Sequence, residues 1–221
     1  MTFYSLTAVL LALLAARPTA QGSAPSAAEV AASLQRKYDS VRDFSADFTH
    51  QHAGGVLRRT LVEQGTLHVK KPGRMRWEYK SPEKKLFVSD GERLYFHDPM
   101  NNQVTISDAP REDRAASAAL FLSGRGSVTR DFKASFIDGG TSDTYALRLD
   151  PVAPQDDYDW LEVVIDRHTL QIRSLTAVEK QGGRSTFVFA RMKENIGIPD
   201  KRFEFEIPRG AEVIYAGPPK L

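Results

Sequence analysis

The chain has 221 residues and contains no cysteine. This absence excludes a disulfide framework, so a packed core has to hold the fold together. It also excludes a lipid-modified cysteine after a secretion signal, so the chain is not expected to be a bacterial lipoprotein itself. We therefore expect a protein that folds by burying apolar side chains.

An excess of charge of one sign is also absent. The 30 Lys and Arg residues nearly balance the 28 Asp and Glu residues, and the formal net charge is +2. Residues 1–22 hold Arg17 and no acidic residue, so without them 29 basic residues remain and the charge is +1. Such a balance does not indicate nucleic-acid binding, and it neither requires nor excludes a role at a membrane surface.

Long hydrophobic runs are absent beyond the N-terminus. Residues 6–16 are apolar, but the run is too short to cross a bilayer as a helix, and small residues suited to cleavage follow at positions 20–22. We predict that residues 1–22 form a cleaved secretory signal peptide and that residues 23–221 form a single soluble domain. No Lys or Arg precedes the apolar run, which leaves a retained membrane anchor as the alternative.

A helix is predicted at the start of this domain, over residues 27–41. Ser26, with Glu29 three residues later, has the pattern of a capping box. Apolar residues then recur at helical spacing, at Val30, Leu34, Tyr38 and Val41.

The remaining chain has the alternating pattern of β-strands, interrupted once. Residues 113–122 are Ala-rich and favour a second helix, which ends at a flexible Gly-containing stop over residues 123–126. About 11 strands with two helical segments exceed what one flat sheet holds without curling, so we predict a mainly β (α+β) fold, a curled antiparallel sheet covered by the helices. The strands are predicted at residues 44–51, 56–69, 74–79, 86–89, 93–97, 103–106, 132–136, 145–149, 161–165, 171–178 and 185–192.

The segment from Lys70 to Phe96 is the most informative part of the chain. Met75, Trp77 and Tyr79 alternate with charged residues, which predicts a half-buried strand with a large apolar face. Asp90-Gly91 then favours a tight hairpin. Apolar faces this broad suit a small barrel or a sheet that holds a ligand, although plain core packing explains the same residues.

Patterns of enzyme sites are weak or missing. His50 and His52 share a strand face, as in a weak metal site, but no third ligand lies near them in sequence, and surface or edge histidines are the simpler interpretation. Residues 123–127 lack the Lys-Ser/Thr of a phosphate loop, and no G-x-S-x-G elbow is present. A calcium-loop spacing is missing around Asp156, Asp157 and Asp159. We predict no enzyme activity, no catalytic residue, no metal and no cofactor.

A series of motifs resembles a known family. It runs from about Ala28 to about Ile214, and the order of the motifs over that length is fairly specific. The chain resembles the periplasmic outer-membrane lipoprotein carriers, the LolA family. The motifs are Phe44 and Phe48, Lys70-Lys71-Pro72-Gly73, a strand with Trp77, a Ser-Pro link, Val88-Ser89-Asp90-Gly91, Leu94-Tyr95-Phe96, Leu175 to Glu179, and Phe203 to Ile214.

The resemblance implies a site as well as a fold. In such carriers the sheet is an incomplete antiparallel β-barrel covered by a helical lid, and the cavity between them holds acyl chains. Lys71 stands where these carriers often have an arginine that hydrogen-bonds the lid backbone, and lysine lacks the planar fork of arginine. The residues that the resemblance places at the cavity are Leu34, Tyr38, Phe48, Met75, Trp77, Tyr79, Leu94, Phe96, Leu120, Phe121 and Leu122.

The function that the resemblance implies is that of a periplasmic chaperone. A monomer would accept acylated lipoproteins from an inner-membrane lipoprotein-releasing ABC transporter and deliver them to an outer-membrane acceptor or to the outer membrane. No nucleic-acid partner is expected. The alternative is a lipid- or lipoprotein-sensing periplasmic regulatory module on the same fold, because fold alone does not separate the two. A small periplasmic hydrolase is disfavoured, since no nucleophile–base arrangement is visible in the sequence.

Overall fold

The structure, a computed structural model, describes residues 24–54, 60–109 and 122–216. Helix α1 (Ala27–Ser40) begins at the predicted capping box: the Ser26 hydroxyl accepts from the Glu29 N–H at 3.3 Å, and the Glu29 carboxylate accepts from the Ser26 N–H at 2.7 Å. The apolar stripe of α1 is buried, and Leu34 and Tyr38 are almost inaccessible. Within the described ranges, no helix is long and apolar enough to cross a membrane.

One 12-stranded sheet makes up most of the fold, in the order β12-β6-β5-β4-β3-β2-β1-β11-β10-β9-β8-β7. Neighbouring strands are antiparallel except β12 and β6, which are parallel, and the sheet stays open because its edge strands β12 and β7 do not pair. The strands are β1 (Asp43–Ala53), β2 (Leu61–Lys70), β3 (Arg74–Ser81), β4 (Lys85–Asp90), β5 (Arg93–Asp98), β6 (Gln103–Asp108), β7 (Phe132–Phe136), β8 (Thr144–Pro151), β9 (Tyr158–Asp166), β10 (Ile172–Glu179), β11 (Arg184–Glu194) and β12 (Glu212–Tyr215).

The mainly β, open architecture predicted from the sequence is confirmed, with small corrections. The sheet has 12 strands rather than the predicted 11, because β12 lies in the C-terminal motif, for which no strand is predicted. Two single-turn elements were also missed, helix α2 (Val128–Asp131) and the 3-10 helix Asp200–Phe203. All three are only four residues long and show too little periodicity to be recognised. The predicted helix 113–122 lies outside the described residues except for Leu122.

Helix α1 packs on one face of the sheet, here called the inner face. The main core lies between them and includes Phe44, Leu67 and Ile165, which are fully buried. On the other, outer face, Val88 and Val104 are also fully buried, and the chain after β11 runs over this side, where the Phe205 ring lies 5.2 Å from the Tyr95 ring. Both faces of the sheet therefore hold packed apolar residues.

Candidate functional site

Aromatic rings from neighbouring strands meet on the inner face. Antiparallel pairing places Trp77 of β3 opposite Phe87 of β4, and Phe48 of β1 opposite Phe189 of β11. Ring centroids lie 4.4 to 6.4 Å apart, within the usual range for aromatic pairs. We call this surface the aromatic wall; it consists of Phe48, Trp77, Tyr79, Phe87, Phe96, Phe187 and Phe189.

A glycine on β2 makes room for the centre of the wall. Gly65 pairs with Phe48 on one side and Tyr79 on the other. A Cβ at this position would overlap the Phe48 ring and the backbone oxygen of Glu78. Because Gly65 has no side chain, Phe48 lies across β2 and contacts Trp77 at 5.2 Å between ring centroids.

The wall is covered unevenly. Phe48, Tyr79 and Phe189 are buried, whereas Trp77 and Phe87 are half-buried. On the inner face, helix α1 packs against α2 and β7, and β7 is the edge strand far from β3, β4 and β5 in the strand order. Among the described residues, the half of the wall on β3 to β5 therefore keeps an accessible apolar surface.

The predicted cavity residues divide into three groups. Met75, Trp77, Leu94 and Phe96 are half-buried on the inner face of β3 and β5. Leu120 and Phe121 lie outside the described residues. The remaining residues are buried within the main core or the wall and do not line an open surface: Leu34, Tyr38, Phe48, Tyr79 and Leu122.

Tyr38 illustrates the buried group. Its hydroxyl accepts a hydrogen bond from the Ile172 N–H at 3.3 Å and lies 3.9 Å from the sulfur of Met192. Burial raises the pKa of the Tyr38 hydroxyl, so the side chain stays neutral. Tyr38 thus joins α1 to the sheet.

Lys71, the predicted lid latch, bonds helix α1. Its ammonium donates to the backbone carbonyl of Tyr38, near the end of α1, and its aliphatic stem lies where a Cβ on Gly124 would sit. Partial burial lowers the pKa of Lys71, while the Asp39 carboxylate opposes that effect. A bond from Lys71 to the predicted lid at residues 113–121 lies outside the described residues.

The segment that follows the predicted lid is anchored between two strand turns. The Gly73 N–H donates to the carbonyl of Ser123 at 2.9 Å, and the Arg125 guanidinium donates to the carbonyl of Gly91. A Cβ on Gly73 would overlap the Arg125 guanidinium, so only glycine leaves room for it. We call residues 123–125 and their partners Gly73 and Gly91 the clamp. Ser123, the first residue of the predicted stop, is fully buried.

A group of polar side chains lies at the end of the wall. His50 Nε2 is 2.8 Å from the Ser185 hydroxyl, and His50 Nδ1 is 3.2 Å from the Tyr79 hydroxyl and 3.4 Å from the Glu63 carboxylate. Lys85 pairs with Glu63 at 2.8 Å. We call His50, Glu63, Tyr79, Lys85 and Ser185 the polar cluster.

The prediction that His50 is an ordinary surface or edge histidine is wrong. Its side chain is only 16% exposed, whereas the side chain of His52, two residues further along β1, is 45% exposed. Burial lowers the pKa of His50 and outweighs the opposing effect of Glu63. The hydrogen bond to Glu63 raises the pKa of Lys85. No group of three potential metal-ligating side chains occurs in the described part of the chain.

Comparisons with known proteins show the family of the chain. The family described as outer membrane lipoprotein carrier protein LolA matches residues 39–206. An outer-membrane lipoprotein carrier protein of Chromohalobacter salexigens is 32% identical, over 93% of this chain and 94% of the relative. One from Actinobacillus pleuropneumoniae is 27% identical, over 87% of this chain and 86% of the relative.

Among solved structures, a LolA superfamily protein from Nitrosomonas europaea aligns with a TM-score of 0.43 and 14% identity, over 82% of this chain and 99% of that one. The sequence matches cover most of this chain, and they confirm the resemblance that the motifs indicated. The chain therefore belongs to the LolA family of outer membrane lipoprotein carrier proteins.

Proposed function

We propose that this protein is a periplasmic chaperone that binds the acyl chains of lipoproteins released from the inner membrane and delivers them to the outer membrane. The observation that carries the proposal is the half-open aromatic wall on β3 to β5. The names of its relatives, outer-membrane lipoprotein carrier proteins, support the same function.

The wall suits acyl chains because both are apolar. Each methylene group that leaves water gains about 0.8 kcal/mol, so an acyl chain along the wall is held by many small increments rather than by one polar contact. Among the described residues, the half-buried apolar side chains that offer this surface are Met75, Trp77, Phe87, Leu94 and Phe96. We assign Leu120, Phe121 and Leu122 to a lid over the chains, and Lys71 to its latch.

The route of the cargo is the one that membership of the LolA family implies. Residues 1–22 act as a cleaved signal peptide, and residues 23–221 work in the periplasm as a monomer. An inner-membrane lipoprotein-releasing ABC transporter supplies the acylated cargo, and an outer-membrane acceptor or the outer membrane takes it. No covalent chemistry takes part, and transfer proceeds because affinity for the chains rises along the route.

Affinity capture from bacterial envelope extracts tests the proposal. The carrier is expected to retain many different acylated lipoproteins, whereas a regulatory module would retain a single signalling partner. Trp77→Glu should lose the cargo, because an unpaired charge against the wall is very costly. Val188→Glu is the matched control, since Val188 is 42% exposed on the outer face. Capture that is equal for both variants would contradict the proposal.

A further inference from the structure

The polar cluster directly adjoins the aromatic wall. The His50 ring stacks on Phe187 with a centroid distance of 4.0 Å and an interplanar angle of 10°. Tyr79 belongs to both groups, since its ring packs on Phe48 at 4.9 Å and its hydroxyl faces His50. An alkyl chain on the wall therefore meets the polar cluster without an intervening gap.

The position of the cluster along the strands fixes one end of the wall. Glu63 lies near the start of β2 and Tyr79 near the end of β3, far from the turn that joins these two strands. The clamp occupies that turn through Gly73. From Met75, next to the turn, to Tyr79 the strand advances by roughly 13 Å. The wall thus runs between the clamp at one end and the polar cluster at the other.

An alkyl chain cannot displace the cluster cheaply. Glu63 is only 6% exposed, and its carboxylate is held by Lys85 at 2.8 Å and lies 3.4 Å from His50. Separating these partners would leave a buried charge without compensation, which is strongly unfavourable. Covering them with methylene groups would bury polar atoms and gain no new hydrogen bond. Each added methylene should therefore strengthen binding only until the alkyl chain reaches the polar cluster.

We propose that the polar cluster is the end-stop of the acyl site and determines the length of acyl chain that the protein holds. The inference rests on the proposed carrier function. Affinity rises about fourfold with each methylene that lies on the wall and stops rising once the chain reaches His50, Glu63 and Lys85. Trp77 and Phe87 bind the chain, and the cluster selects its length.

The test is a series of N-acylated peptides of increasing chain length, from octanoyl to stearoyl, with Kd measured for each. The double variant Glu63→Leu/Lys85→Met extends the apolar surface and removes both charges together. Glu63→Gln/Lys85→Gln is the matched control, because it removes the charges and keeps the site polar. We expect wild type and control to reach the same limiting length. The apolar variant should gain at least two further methylenes, about 16-fold in affinity.

A second variant guards against misfolding of the first. His50→Phe prolongs the aromatic wall and leaves the pair between Glu63 and Lys85 intact, so it should also move the limit to longer chains. Equal limits in wild type and every folded variant would overturn the end-stop while leaving the carrier function in place. Wild-type binding that does not depend on acylation at all would overturn both.

Discussion

Gly73→Ala tests the clamp at the end of the predicted lid. Gly73 adopts φ +73°, a left-handed conformation that costs a residue with a Cβ about 1–2 kcal/mol. The added methyl group would also overlap the Arg125 guanidinium, which lies at the end of a flexible side chain. We expect Arg125 to swing away and lose its bond to the Gly91 carbonyl.

The expected cost has two separable parts. Loss of a hydrogen bond made by a charged group is worth about 1.5–3 kcal/mol, so Gly73→Ala should lower the free energy of unfolding by about 2.5–5 kcal/mol in total. Gly182→Ala is the matched control, because Gly182 has φ +78° and open space around its Cβ position. It should show only the backbone cost, about 1–2 kcal/mol.

Urea unfolding followed by far-ultraviolet circular dichroism measures both variants, alone and combined with Arg125→Ala. Once Arg125 is truncated, Gly73→Ala should retain only the backbone cost, so the double-mutant cycle should give a coupling of about 1.5–3 kcal/mol. If Gly73→Ala costs the same with and without the arginine, Arg125 does not occupy the space over Gly73 and the clamp described above is wrong.

Three further outcomes are expected. Burial lowers the pKa of His50 and of His68 below 6.5, so the unfolded chain binds more protons near pH 6. The contribution of these neutral histidines to the free energy of unfolding should therefore be fully present above about pH 7.5 and should be lost as the pH falls through 6.5. His50→Gln should reduce this loss, and an unchanged pH profile would contradict the buried, neutral state of His50. Lys71→Leu should lose about 1.5–3 kcal/mol with its bond to the Tyr38 carbonyl, whereas Lys71→Arg should retain most of it; equal unfolding curves would mean that this bond contributes nothing. Trp77→Glu should bind acylated peptide far more weakly than Val188→Glu, which titration of both variants would show; equal affinities would place Trp77 outside the site.

Local patterns in the sequence predicted the parts of the fold that depend on interactions between residues close in sequence. Alternation along β3 gave the inner face of Met75, Trp77 and Tyr79, and the capping pattern at Ser26 gave the start of α1. These features depend on residues within one turn or one strand, where sequence spacing sets direction. The number of strands predicted a curled sheet, and the resemblance to the LolA family implied that the sheet stays open.

The parts that sequence could not predict depend on contacts between distant segments. His50 and Glu63 meet only because β1 and β2 pair in one register, and Ser185 reaches them from β11. Arg125 lies over Gly73, although no pattern in the sequence links these two residues. An ordinary histidine or a Gly-rich stop has the same local sequence whether it is exposed or buried, so burial had to come from tertiary structure.

The binding of an acyl chain beside Trp77 is the central claim, and the fluorescence of this residue tests it most directly. The chain has two tryptophans, and Trp160→Phe leaves Trp77 as the single reporter. The Trp160 ring packs against Arg148, whose Cζ lies 3.9 Å from the ring centroid. An N-palmitoylated lipoprotein peptide should shift the Trp77 emission to shorter wavelength and saturate, whereas the same peptide without the acyl chain should leave the spectrum unchanged. Equal spectra with the two peptides would contradict the account.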